Sequence, residues 1–165
     1  MLSDILQYKD IKYTWWRTGG CERMFYADDK EDIHSDDVRE IGINCAGLIN
    51  LIRRQRGLFI PDLTDDQKKD GIIRGGTYHW FMYFQQIDAL TEFDIDKEYD
   101  VCTLILRRYK NETDQGHMAI IINKTDIIHA YAYDTDTGIV GVTSLIDSHA
   151  SGYYEYAISP SHWLL

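Results

Sequence analysis

The chain has 165 residues, of which 44% are hydrophobic and 13% aromatic, and its formal net charge is -10 at pH 7. This length and apolar content predict a single domain, residues 1–165, and argue against an intrinsically disordered protein. The acidic balance argues against a nucleic-acid partner, because phosphate backbones are bound by clustered lysine and arginine side chains.

Secretion, membrane and metal signals are missing from the sequence. The N-terminal stretch carries Asp4 and Lys9, which do not suit a signal peptide, and no apolar run approaches the roughly 18 residues of a membrane span. The cysteines, Cys21, Cys45 and Cys102, are odd in number and widely spaced, which indicates neither a disulfide framework nor a metal site. We expect a protein without cofactor, metal or membrane partner that is cytoplasmic or delivered by a non-signal route.

The first forty residues predict little regular structure. A short helix capped by Ser3 is predicted over residues 3–8, and an extended aromatic segment over residues 13–20. Residues 21–39 are polar and acidic, which is typical of a loop or an insertion.

An apolar helix is predicted over residues 45–56, because its hydrophobic side chains recur at helical spacing. Asn44 suits the N-cap and Gly57 suits the C-terminal stop. We interpret Arg53, Arg54 and Arg56 as the solvated last turn, where cations complement the helix dipole.

Two further helices follow this one. Thr64 and Gln67 have the spacing of a capping box for a helix over residues 65–70. After the break at Gly75 and Gly76, a helix capped by Thr77 and ending at residue 86 is predicted.

From residue 99 onward the pattern changes to strands. Five are predicted, with a hairpin turn at residues 123–126 between the second and the third: 101–109, 118–122, 127–133, 139–145 and 153–158. Helices followed by strands indicate an α+β fold, in which N-terminal helices pack on an antiparallel sheet of about five strands.

A cysteine and two histidines are placed as a thiol hydrolase requires. Cys45 opens a helix, where unpaired N–H groups and the helix dipole stabilise a thiolate, and an imidazolium beside it would add a full positive charge. Together these surroundings can lower a cysteine pKa to about 4 to 7. His117 and His129 lie on adjacent predicted strands, and they meet diagonally if the hairpin register puts them on the same face.

The predicted roles follow from that geometry. Cys45 is the nucleophile, His117 the general base, and His129 the residue that orients the His117 ring. The backbone N–H of Cys45 is a candidate oxyanion donor. Each residue also has a purely structural interpretation, because a cysteine on an apolar helix is usually a small core residue.

Other interpretations stay open at this stage. Cys45, His117 and His129 could form a zinc site, although no short-spaced pair of ligands is present. Acyl transfer to or from lipids occurs on related folds, usually with histidine before cysteine in the chain. A catalytically inactive binding or structural module is a third alternative.

Several short motifs resemble the NlpC-type cell-wall peptidases, a branch of the papain-like cysteine hydrolases. They occur in the family's order: Tyr13-Thr14-Trp15, Asn44-Cys45-Ala46-Gly47-Leu48, Gly57-Leu58-Phe59-Ile60-Pro61, Asp100-Val101, Gly116-His117-Met118-Ala119-Ile120 and Ile128-His129-Ala130. The resemblance implies a papain-like fold, a Cys45-His117-His129 triad, and a peptide or a peptidoglycan stem peptide as substrate.

The resemblance also implies where the substrate would lie. It places Tyr13 close to the nucleophile, and we include Trp15, Asn44 and Ala46 as candidate substrate-binding residues. The family has Asp and Ser where this chain has Asn44 and Ala46, so the charged hydrogen bonds that receive a free substrate amine are lost. The chain is thus a divergent member whose substrate need not be an amine-terminated stem peptide.

The distance from the cysteine to the first histidine is long, at 72 positions (117 − 45). This predicts an insertion near residues 71–91. Its aromatic side chains suit either a lid over the cleft or a helix packed on the core.

Overall fold

The computed structural model describes residues 1–15, 27, 35–133, 137–150 and 152–165. Within these residues the helices are α1 (Leu2–Leu6), α2 (Ser35–Ile41), α3 (Cys45–Gln55), α4 (Asp65–Lys69), α5 (Thr77–Gln86), α6 (Leu145–Ser148) and α7 (Pro160–Trp163). The strands are β1 (Thr91–Glu92), β2 (Leu104–Arg107), β3 (His117–Ile121), β4 (Asp126–Ala132), β5 (Gly138–Ser144) and β6 (Tyr156–Ile158). The predicted α+β class is confirmed.

The sheet has six strands in the order β1-β6-β2-β3-β4-β5, and neighbouring strands are antiparallel. Five of them were expected, and the sixth, β1, is only two residues long. The prediction for residues 101–109 was too long, because Cys102 has a φ of 72°, outside the extended region. Strand pairing with β3 therefore begins only at Leu104.

The hairpin between β3 and β4 has the register that the site needs. Ile120 pairs with Ile128 and Ile121 pairs with Ile127, so His117 and His129 fall on the same face of the sheet. The Asn123 side chain accepts hydrogen bonds from the N–H groups of residues 125 and 126, both at 2.8 Å. This Asx turn confirms the predicted hairpin and fixes its register.

Helix α3 lies at the centre of the larger core. Its apolar face, including Ala46, Leu48 and Ile49, is buried, and the helix packs on β3 and β4. The interpretation of Arg53 as solvated was wrong. Its guanidinium is buried, stands 5.1 Å from the centre of the Trp80 ring, and donates to the carbonyl oxygens of Phe59 and Trp163. Its guanidinium thereby satisfies carbonyl oxygens of the loop after α3 and of helix α7.

A smaller core covers the opposite face of the sheet. It consists of residues from the sheet and from the segments around it: Phe93, Ile105, Ala119, Ile121, Ile127, Leu145, Tyr154 and Ala157. The sheet is thus covered on both faces, with α3 on one and short segments on the other.

Helix α5 occupies the middle of the segment predicted as an insertion. Trp80 and Phe84 are fully buried and their rings stack at 5.2 Å, and the Trp80 indole donates to the Asn50 side chain at 2.7 Å. One side of α5 is therefore part of the main core, as the second of the two interpretations expected. Whether residues 71–91 are inserted relative to related proteins stays a prediction.

The N-terminal region departs from prediction in two places. Helix α1 begins at Leu2 with Met1 as its N-cap, whereas Ser3 bonds to Asp4. Residues 35–41 form α2 rather than a loop, while residues 16–26 and 28–34, with most of the predicted aromatic segment and loop, lie outside the described residues. No helix in the described residues has the length and hydropathy needed to cross a membrane.

Candidate active site

Cys45 is the first residue of α3. Asn44 caps the helix: its side-chain oxygen accepts the N–H of Gly47 at 2.7 Å, and its backbone is extended. The first-turn N–H groups of such a helix carry partial positive charge and point away from it. The thiol thus lies next to the backbone N–H of Cys45, the predicted oxyanion donor.

The Cys45 thiol is surrounded by hydrogen-bond donors. The backbone N–H of Met118, the hydroxyl of Thr77 and the N–H of Ala46 all act to lower its pKa by bonding to the sulfur. Burial is the larger effect and raises the pKa of Cys45 above its usual value of 9.0. The expected lowering of the thiol pKa was therefore wrong, because desolvation outweighs the helix terminus.

His117 and His129 are joined directly. The Nε2 atom of His117 lies 2.7 Å from Nδ1 of His129, and the two rings are inclined by 76°. Burial, together with the neighbouring His129, lowers the pKa of His117 to about 3, and burial lowers the pKa of His129 to about 4. Both imidazoles are therefore neutral at pH 7, so one ring donates and the other accepts.

The thiol lies beside β3, the strand that begins with His117. Met118, whose N–H bonds to the Cys45 sulfur, directly follows His117 in the chain. Because His117 uses Nε2 toward His129, its Nδ1 is the atom left for a proton from the thiol.

Two cavities meet at Tyr13. A groove of about 470 Å³ is lined by Cys45 and the residues around it, and a cleft of about 290 Å³ is lined by His117 and His129. Tyr13 is buried and lines both cavities. Burial, with Cys45 and Tyr153 nearby, raises its pKa far above the usual value of 10.0, so its hydroxyl stays protonated.

The groove also contains the other candidate substrate-binding residues. Trp15, Asn44 and Ala46 all line it, and the rings of Tyr13 and Trp15 stack at 6.4 Å. The side-chain oxygen of Asn44 is engaged as the helix cap. The four predicted residues are therefore assembled around the thiol, and their roles toward a substrate stay a prediction.

Sequence reasoning missed Thr77 as part of this site. It was expected to cap α5, but the N-cap is Gly76 and Thr77 is the first helical residue. Its side chain is buried and contacts the Cys45 thiol instead. The only sequence signal was a hydroxyl next to a Gly-Gly break, which is equally typical of a helix cap.

Tyr153 and Tyr154 are further residues of the cleft that the sequence did not reveal. Their rings lie 6.1 and 6.3 Å from the ring of His117. Burial raises the pKa of Tyr153 to about 12, with Cys45 adding to the effect, and it raises that of Tyr154 further. Neither residue supplies a charge that would perturb the imidazoles at neutral pH.

In the described part of the chain, no group of three or more histidine, cysteine or acidic side chains is arranged to hold a metal ion. The site offers a thiol, imidazoles and backbone N–H donors, which are the groups used in acyl transfer.

Comparison with known proteins shows the fold. No protein-family model and no curated protein sequence matches the chain. A solved structure of a lipoprotein-like NLP/P60 family protein from Staphylococcus aureus subsp. aureus Mu50 is 18% identical, with a TM-score of 0.51, and covers 96% of this chain. This chain spans 39% of that protein. The NlpC/p60 domain of the peptidoglycan hydrolase SagA is 16% identical, with 96% and 94% of the two chains covered and a TM-score of 0.48.

Proposed function

We propose that this chain is a cysteine hydrolase that cleaves amide bonds, with residues 1–165 acting as one domain. Cys45 is the nucleophile, His117 the general base and His129 the residue that orients it. The observation that carries the proposal is the 2.7 Å hydrogen bond between His117 and His129. His117 begins β3, and the N–H of the next residue, Met118, contacts the thiol of Cys45. The NLP/P60 likeness supports the fold in which such a triad operates.

The proposed reaction begins from a neutral pair. As the sulfur attacks the substrate carbonyl carbon, the S–H bond breaks and its proton moves to Nδ1 of His117. The new S–C bond leaves the carbonyl electrons on oxygen, and the N–H of Cys45 stabilises that oxyanion. The oxyanion then re-forms the carbonyl as the C–N bond breaks, and His117 gives its proton to the leaving amine. Water next attacks the thioester while His117 takes a proton from it, the C–S bond breaks, and that proton returns to the sulfur as the acid product leaves.

The raised thiol pKa and the lowered imidazole pKa values support this order of events. At pH 7 the thiol keeps its proton and the imidazole is able to take it, so proton transfer accompanies attack. The surrounding donors, Met118 N–H and Thr77, stabilise the sulfur once it becomes anionic.

The motif resemblance to cell-wall peptidases makes peptidoglycan stem peptides the first substrates to test. The groove beside Cys45 is about 470 Å³, within the usual range for a small-ligand site. Because Asn44 and Ala46 replace a carboxylate and a hydroxyl, peptides with a blocked amino terminus are included beside free ones.

The decisive experiment is digestion of defined muropeptides and ordinary peptides, with product masses measured for the native chain and for Cys45→Ala. The proposal expects amide cleavage that Cys45→Ala abolishes without loss of folded structure by circular dichroism. Cys102→Ala is the matched control, because it removes a buried thiol outside the site. Cleavage that persists in Cys45→Ala at the native rate contradicts the mechanism.

A second candidate function is a binding module that has kept the fold without catalysis. It is favoured by the same raised thiol pKa and by the engagement of Asn44 as a cap. Peptide digestion separates the two, and a thiol-directed probe, followed at each cysteine by peptide mass, is a second readout. Labelling of Cys45 no faster than that of Cys21 or Cys102, together with no cleavage, favours the binding module.

A further inference from the structure

The hydrogen-bond chain that starts at the catalytic base does not end at His129. The Nε2 atom of His129 lies 2.9 Å from the hydroxyl of Thr143, and that hydroxyl lies 2.8 Å from the hydroxyl of Ser148. With the 2.7 Å bond from His117, four side chains form one continuous path. Thr143 and Ser148 are half-buried, and Ser148 lines the cleft beside the two histidines.

The sheet register builds this path. Strand β4 pairs with β5 so that Gly141 faces His129 and Thr143 faces Ile127. Thr143 is therefore the diagonal neighbour of His129 on the same face, as His129 is of His117. Three successive strands thus each contribute one polar side chain, and Ser148 at the end of α6 contributes the fourth.

Gly141 makes room beside the path. A Cβ atom at this position would lie 2.9 Å from the ring of Tyr131, which stacks on His129 at 4.6 Å. The ring of His129 is thus held on one face by Tyr131 and at its two nitrogens by His117 and Thr143. Its orientation is determined from three sides.

The bond directions along the path follow from the role of His117. For Nδ1 of His117 to accept the thiol proton, its Nε2 must carry hydrogen and donate to Nδ1 of His129. His129 must then carry its hydrogen on Nε2 and donate to Thr143. The Thr143 hydroxyl accepts from His129 and is able to donate onward to Ser148. One set of directions satisfies every member of the path.

We infer that Thr143 and Ser148 are positioning residues that hold His129, and through it His117, in the tautomer competent to accept a proton from Cys45. This inference rests on the proposed function. The hydroxyl pair supplies at His129 an oriented acceptor without charge, where many triads use a carboxylate. When His117 becomes positive during the reaction, the aligned N–H and O–H dipoles point their negative ends toward it.

Among the described residues, the titratable side chains around the two rings are the tyrosines at positions 13, 131, 153 and 154, and Arg107, which pairs with His117 across β2 and β3. The Arg107 guanidinium donates to the Asp114 carboxylate and lies 4.8 Å from the centre of the Tyr153 ring, so its charge is balanced by an ion pair. The tyrosines are neutral at pH 7, since the pKa values of Tyr13, Tyr131 and Tyr153 are all raised.

The test is ¹⁵N NMR of histidine-labelled protein, which distinguishes protonated from unprotonated ring nitrogens. In the native chain we expect His129 to be protonated at Nε2 and bare at Nδ1. Thr143→Val keeps the shape of the side chain but removes the hydroxyl, and is expected to mix the two His129 tautomers. Thr143→Ser keeps the hydroxyl and is expected to restore the native pattern.

Turnover supplies the second readout. Thr143→Val is expected to lower kcat roughly 10- to 100-fold, as outer partners of site histidines typically do, with KM unchanged. Ser148→Ala is expected to lower kcat less, and Thr143→Ser to retain most of it. Ser161→Ala is the matched control, because it removes an exposed hydroxyl on α7, away from the path. Its kcat should equal that of the native chain.

Two results would overturn the inference. One is a native His129 tautomer with native kcat in Thr143→Val; the other is an equal loss of kcat in Thr143→Val and Thr143→Ser. Failure of the proposed function gives a different result, namely turnover that survives Cys45→Ala. In that case the NMR comparison of Thr143→Val with Thr143→Ser still decides whether the hydroxyl sets the tautomer.

Discussion

The two halves of the candidate site are built in different ways. The thiol is held by the backbone of α3, whose neighbouring residues Ala46 and Leu48 are 2% and 1% exposed. The imidazoles are held by side-chain hydrogen bonds that run across three strands, through half-buried groups such as Thr143. Close packing fixes the first half, and a few polar contacts fix the second.

This difference predicts which substitutions alter stability and which alter the chemistry of the site. Packing is shared among many atoms, so single changes on the helix side should alter stability before they alter the position of the sulfur. A hydrogen-bond path has one partner at each step, so single changes on the imidazole side should alter chemistry before stability.

Among the variants that compare the two halves, His117→Gln is expected to cause the largest loss of turnover. Removing the proposed general base should lower turnover roughly 10²- to 10⁴-fold, the usual contribution of such a group. Circular dichroism should show an unchanged fold. His162→Gln, at an exposed position of α7, is the control and should leave turnover unchanged. Native turnover in His117→Gln would show that the two halves do not work together.

The protonation states of the two halves predict how Cys45 reacts with alkylating agents. Because burial raises the thiol pKa and lowers that of His117, the thiol should be neutral near pH 7. The thiolate is the reactive form, so the alkylation rate should rise about tenfold per pH unit from pH 6 to 9. Site-resolved mass spectrometry of iodoacetamide labelling measures this rate. A plateau below pH 6 would instead indicate a preformed thiolate–imidazolium pair.

The two imidazoles should also make the free energy of unfolding depend on pH in the acidic range. The folded-state pKa values of His117 and His129, about 3 and about 4, lie below the usual 6.5. At pH values between the folded and the unfolded pKa, the unfolded chain binds more protons than the folded chain. The free energy of unfolding therefore falls as pH decreases from 6.5 toward 4. Each imidazole contributes up to about 1.4 kcal/mol per pH unit in that window. Urea unfolding at several pH values measures the slope.

His129→Gln measures how much one imidazole contributes to the pH dependence of the free energy of unfolding. It should flatten the slope relative to the native chain. His79, which is buried with a pKa lowered to about 4, adds to the slope equally in the native chain and in the variant. An unchanged slope in His129→Gln would mean that its ring is charged in the folded protein.

The smallest expected effect lies on the helix half. Asn44→Ala removes the N-cap of α3 and should lower the free energy of unfolding by about 1 kcal/mol. Asn44→Asp retains a cap acceptor and should keep most of that stability. Urea midpoints of the two variants give the comparison. If Asn44→Ala lowered turnover strongly at native stability, Asn44 would belong to the chemistry rather than to the helix.

Local patterns predicted α3, α4 and α5 well. Helix α3 was expected over residues 45–56 and spans Cys45–Gln55, with the expected cap at Asn44. The capping box of Thr64 and Gln67 is present with both reciprocal bonds. These features depend on contacts within a few residues, so the information for them lies in the adjacent sequence.

Features that depend on distant partners were missed or misjudged. Arg53 was expected in solvent but bonds to the carbonyl of Trp163, 110 residues away. Thr77 was expected to cap α5 but reaches the thiol of Cys45. A hydroxyl or a guanidinium has several possible uses, and only the position of the rest of the chain selects one.

Sequence patterns were sufficient for the α+β class, the helix start at Cys45 and the hairpin turn between the two histidine strands, because periodicity, caps and turns are local, but they left the register of that hairpin open. The protonation of the site and the continuation of the path to Thr143 and Ser148 followed only from the tertiary structure. Both depend on burial and on diagonal neighbours from separate strands, which arise only when the sheet and α3 close around the site.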